Sequence, residues 1–160
     1  MYSSIKVLVC AVLLALSGCA ENNGVTLHLN DIDETAYHSK EIIPVKYSAL
    51  YGKWKLVSVS GGFSGDGIEP NFDYLEIKEY GIYGLVRGDE LFEYGKVELD
   101  TFDIDRADVL QLRFVPESIS GSGPAMSPPE KYVELRESQI LDLNAPCCDM
   151  YNFHFKKAIQ

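Results

Sequence analysis

Leu110-Gln111-Leu112-Arg113-Phe114 alternates apolar and polar side chains without a break. A period of two sends Leu110, Leu112 and Phe114 to one face and Gln111 and Arg113 to the other, the signature of a half-buried β-strand. Outward from this stretch the pattern repeats. Leu75 and Ile77 alternate with Glu76 and Lys78; Tyr151, Phe153 and Phe155 alternate with Asn152, His154 and Lys156. From Tyr51 onward short apolar runs recur between turn signals, and no segment after Leu50 holds a helical period over three turns. The spacing predicts an antiparallel all-β domain.

Eight strands are expected: Lys53–Ser60, Tyr74–Glu79, Ile82–Arg87, Glu90–Leu99, Val109–Val115, Lys131–Leu135, Gln139–Leu143 and Tyr151–Lys157. Gly81, Gly88-Asp89 and Glu137-Ser138 supply tight turns. So dense a series fits a small up-and-down antiparallel β-barrel, which also removes open sheet edges. A two-sheet sandwich is the rival. In the barrel, connections alternate between the two ends. Gly61–Asp73, Gly88-Asp89, Pro116–Glu130 and Asn144–Met150 then share one rim, while Asp100–Asp108 is the long connection of the other. Loops gathered on a rigid scaffold make a ligand mouth. Phe63 and Ile68, in a glycine-rich loop suited to a lid, Phe72, and the adjacent pair Cys147-Cys148 are the candidate binding residues. Trp54 falls at the opposite end, as a structural plug that buries a large area and donates its N–H. Eight strands leave room for side chains or one small ligand, and the many interior aromatics keep a filled barrel open as the second reading.

Leu50-Tyr51-Gly52-Lys53-Trp54-Lys55-Leu56 resembles the Gly-x-Trp opening of lipocalins and of the small lipocalin-like domains found in lipoproteins of Bacteroidetes-type bacteria. Leu141–Asp149 followed by Tyr151–Phe155 is similar to the last hairpin of that group. The resemblance spans about residues 47–158 and implies a ligand-binding barrel. Lipocalins often stack an arginine on this tryptophan; here only Lys156 or Lys157 could take that place.

The N-terminal region reads as an address. Lys6 precedes the apolar run Val7–Leu16, too short to span a bilayer and suited to the core of a secretory signal. Leu16-Ser17-Gly18-Cys19 resembles the lipobox that precedes a lipid-modified cysteine. Residues 1–18 are therefore expected to be a lipoprotein signal peptide, Cys19 the acylated and palmitoylated residue, 19–47 an acidic tether, and 48–160 the barrel. Ala20, rather than Asp, fits sorting to the outer membrane, so the expected location is the cell envelope, anchored by lipid. The full chain carries 14 basic and 24 acidic residues, net −10; loss of Lys6 makes it −11. That acidity argues against a nucleic-acid partner, whose phosphates need a basic face. The expected partners are the membrane through Cys19, a small apolar or amphipathic ligand, or another envelope protein.

Chemistry is sparse. Adjacent cysteines hold Cα atoms about 3.8 Å apart where disulfides prefer about 4.4–6.8 Å, so Cys147-Cys148 reads either as a strained vicinal disulfide, as two thiols, or as a minor metal or redox site recruiting Asp149 and His154. Asp100, Asp103, Asp105 and Asp108 lack the glycine and glutamate of a calcium loop and read as a solvated acidic turn. His28 and His38 lie in the tether. His154 is the sole histidine of the folded part, so a Ser/His/Asp array would have to use an outward-facing strand residue. No phosphate loop, dinucleotide fingerprint or zinc motif occurs. Neither an enzyme nor a cofactor or metal is expected.

Overall fold

A computed structural model describes residues 28–32, 43–62, 69–104, 107–119, 125–147 and 149–159. Eight strands, β1 Gly52–Gly61, β2 Tyr74–Ile77, β3 Ile82–Arg87, β4 Glu90–Ile104, β5 Ala107–Ile119, β6 Glu130–Arg136, β7 Ile140–Asn144 and β8 Tyr151–Lys157, follow one another round a closed antiparallel barrel. The ring shuts where β8 pairs with β1, from Trp54↔Lys157 to Gly61↔Tyr151. Closure leaves no edge strand to template aggregation and disposes of the sandwich.

Alternation decides which side chains fill the ring. Leu75 and Ile77, Tyr83 and Leu85, Leu112 and Phe114, Leu141 and Leu143, Phe153 and Phe155 all join one buried cluster with Trp54 and Val97. Tyr83 meets Phe114 edge-on at 5.0 Å between ring centroids. Trp54, Tyr83, Phe114, Phe153 and Phe155 are each under 2% exposed, so large aromatic side chains occupy the interior. An interior packed at this density gains its stability from many small dispersion contacts.

The acidic stretch 100–108 departs from expectation. Its aspartates predict a solvated acidic turn; instead β4 runs on to Ile104 and β5 begins at Ala107, with Thr101↔Leu110, Phe102↔Val109 and Asp103↔Asp108 in register. Thr101, Phe102, Ile104, Val109 and Leu110 favour the pleated state. At its other end β5 extends through Pro116 to Ile119. Pro116 is tolerated because β6 pairs only with Gln111–Arg113, so no neighbour on that side requires its missing N–H.

Both ends are closed by described residues. At the end away from the long loops, a 3₁₀ turn, Val45–Leu50, lies across the opening and buries Ile43 and Leu50. Trp54 Nε1 donates to Leu50 O at 2.8 Å, and Tyr51 Oη donates to Ile43 O at 2.5 Å. Burial and, secondarily, Glu79 push the Tyr51 phenol above its ordinary value. Ile43–Leu50, ahead of the expected boundary at residue 48, is thus packed with the barrel. A second piece of the polar N-terminal region, His28–Ile32, lies on the outer wall: Leu29 and Ile32 pack on Ile82, Leu91 and Tyr94. A side chain at Gly84 would meet Leu29 and Leu91 within 2.9 Å, so the bare backbone there is the notch that admits Leu29. Lys78 Nζ donates to Asn30 Oδ1 at 2.9 Å and fixes the segment.

Candidate functional site at the loop-bearing end

The four connections 62–73, 88–89, 120–129 and 145–150 emerge at one end, as the parity of an up-and-down barrel requires. Two of them turn inward. Phe72 and Met126, 2% and 1% exposed, cap the interior from above. Phe72 lies 5.9 Å from Phe153 and 6.4 Å from Phe155, centroid to centroid. Beneath this cap stand two charged residues that alternation alone hides.

Lys131 is opposite Leu112 on β5, and direct register partners share a face, so its side chain enters the barrel. It is fully buried. Its ammonium donates to Tyr151 O at 3.0 Å and stands 5.1 Å from the centre of the Phe153 ring, a cation–π placement. Burial pulls its pKa down to about 8, against a smaller upward pull from Glu130.

Glu93 faces Leu85 across β3 and is likewise buried. Tyr83 Oη donates to Glu93 Oε1 at 2.7 Å, and the Ala125 N–H donates to Oε2 at 2.8 Å. Burial and the bond to Glu93 drive the Tyr83 phenol far above its ordinary range. Glu93 therefore ties the returning loop to the wall, while Lys131 places a cation in an apolar mouth. The arrangement can bind an anionic group; Lys131, being desolvated, also gives up its proton more readily than a surface lysine.

Of the residues expected at this rim, Phe72 is part of the cap. Cys147 is exposed on the β7–β8 connection at the same end. Phe63, Ile68 and Cys148 lie outside the described residues, as do Cys19, His38 and Asp105. Trp54 lies at the other end, completely buried. Lys157 crosses its ring at 4.1 Å and donates to the carbonyls of Ala49 and Tyr51; burial lowers its pKa. A groove of about 380 Å³ lies outside the barrel, between His28–Asn30 and the wall at Lys53, Glu76 and Asp89. The side chains that line it are largely polar and solvated.

These features define a closed, eight-stranded, up-and-down β-barrel with a capped, charge-bearing loop end. Comparison of the chain with protein-family models, curated proteins and solved structures returns no match.

Proposed function

We propose that this chain is a lipid-anchored protein of the cell envelope whose lipocalin-like barrel takes up a small amphipathic ligand, apolar with an anionic head, at its loop-bearing end. One observation carries the reading: Lys131, a lysine wholly buried inside the barrel against Tyr151 O and the Phe153 ring. Taking an ammonium out of water costs several kcal/mol, and an apolar residue of similar volume at such a site is usually neutral or stabilising. A charge kept there at that cost is accounted for by an anion that it meets. Phe72 and Met126 come from connections rather than strands. Moving the pair aside exposes apolar surface worth about 1.5–3 kcal/mol per side chain, which an apolar ligand body offsets on entry.

Support for the envelope setting comes from the short apolar run ending in Leu16-Ser17-Gly18-Cys19. Support for lipocalin likeness comes from Gly52-x-Trp54 at the start of β1 and from a cation over the tryptophan, supplied here by Lys157. The test is titration of the full-length protein with a fluorescent fatty acid. Saturable binding that weakens at least tenfold in Lys131→Met supports the reading. Binding that is absent, or indifferent to Lys131→Met, rejects it.

The packing itself favours a second reading, a filled barrel that serves as a non-enzymatic interaction module for another envelope protein. In that case no probe enters, and Lys131→Met only stabilises.

A further inference from the structure

The outer wall near the same end carries three side chains in a relay that the mouth does not use. Asp142 and His154 are register partners on β7 and β8, and His154 Nδ1 lies 2.9 Å from Asp142 Oδ1. Ser60, on β1, places its Oγ 2.8 Å from His154 Nε2. A carboxylate only accepts hydrogen bonds, so Nδ1 carries the ring hydrogen; in the neutral imidazole the lone pair of Nε2 then faces the serine hydroxyl. The reach from Ser60 to His154 depends on the bulge between Leu56 and Ser58, which moves β1 out of simple register with β8.

Asp142 is 5% exposed although it points away from the core. Arg136 Nη2 holds its second oxygen at 2.5 Å. Burial pushes the Asp142 carboxyl up, but the bonds from His154 and Arg136 outweigh it and keep the group below its ordinary value, hence ionised. The His154 side chain is 33% exposed and Ser60 is half-buried, so the Ser60 end of the array borders solvent. Asn152, the register partner of Ser60, shares its face; its Oδ1 accepts the Ala145 N–H at 2.7 Å, which leaves Nδ2 as a donor. Gly61, next to Ser60, has no space for a side chain, since a Cβ would sit 2.3 Å from Met150 O. Val57, 55% exposed in the bulge, offers apolar contact.

We infer that Ser60, His154 and Asp142 form an acyl-transfer site that hydrolyses small, short-chain esters on the barrel's outer wall. In the first half, Ser60 Oγ attacks the ester carbonyl carbon while its proton passes to His154 Nε2. Collapse of the tetrahedral intermediate breaks the bond to the alkoxy oxygen, and His154 returns the proton to the departing alcohol. In the second half, water gives a proton to His154 and attacks the acyl carbon; expulsion of Ser60 Oγ, reprotonated by His154, releases the acid. Asn152 Nδ2 is the donor available to the developing oxyanion. Ser60 and His154 are the catalytic residues, and Asp142 is a positioning residue.

A cross-strand polar ladder with no chemistry would make the same hydrogen bonds, so the test must read reactivity. The full-length protein is treated with a fluorophosphonate probe, and the adduct is located by peptide mass spectrometry. The expected result is phosphonylation of Ser60, absent in Ser60→Ala and slowed about 100-fold in His154→Gln, a surface change whose folding is checked by its melting curve. With p-nitrophenyl acetate as substrate, Asp142→Asn lowers kcat and leaves KM unchanged. No adduct on Ser60, or an adduct that forms equally fast in a folded His154→Gln protein, overturns the inference.

Discussion

Lys131 is where the chain departs most from what its stability alone would favour. Its pKa in the fold, about 8, lies below the 10.5 of the unfolded chain. Below about pH 8 the residue is protonated in both states and the full desolvation penalty is present. Between about 8 and 10.5 the folded form has released a proton that the unfolded form still holds, so stability rises with pH across that window. Lys131→Met is therefore expected to stabilise the protein at pH 7 by about 1–3 kcal/mol. The advantage should shrink toward pH 10.5, as read from urea unfolding at several pH values. A Lys131→Met protein that is less stable than wild type at pH 7 would show the ammonium to be a structural tie instead. Sequence did not reveal this residue, because in Glu130–Arg136 a lysine beside a glutamate looks like a solvated strand. Only the pairing with Leu112 turns it inward. Trp54, by contrast, was legible, since a tryptophan opening the first strand has few places to go but a barrel end.

At the scale of elements, the eight strands were readable because period two survives wherever one face is buried. The odd connections came to share one end for the same reason: the count was right. What escaped was the reach of the β4–β5 hairpin. Its aspartates predict a turn, but the β-favouring Thr101, Phe102 and Val109 run in register across the hairpin. The docking of His28–Ile32 escaped too, because two apolar residues in a polar stretch form no period; Gly84, on another element, supplies their seat. Leu29→Asp should release this segment. Residues 28–32 would then lose hydrogen-exchange protection, while the barrel's unfolding free energy changes by less than about 1 kcal/mol, since the contacts broken lie outside the main core cluster. Loss of protection throughout β3 would mean that the segment is integral to the barrel.

At the scale of the whole molecule, the proposed lipid anchor at Cys19 would tether a closed barrel that carries Lys131 and Glu93 toward its loop-bearing end. Anchoring belongs to this scale: a single acyl chain binds membranes only marginally, whereas two or more hold stably. Cys19→Ser is expected to move the protein from the membrane fraction to the soluble fraction and to abolish labelled palmitate incorporation. Retention of both would place the anchor elsewhere. The uptake proposal is tested most directly by native mass spectrometry of the full-length protein, extracted from its own membrane in non-ionic detergent beside Lys131→Met. The account predicts one anionic amphiphile bound to the wild-type chain and lost from the variant. A bare polypeptide mass for both, or the same adduct on both, would contradict it.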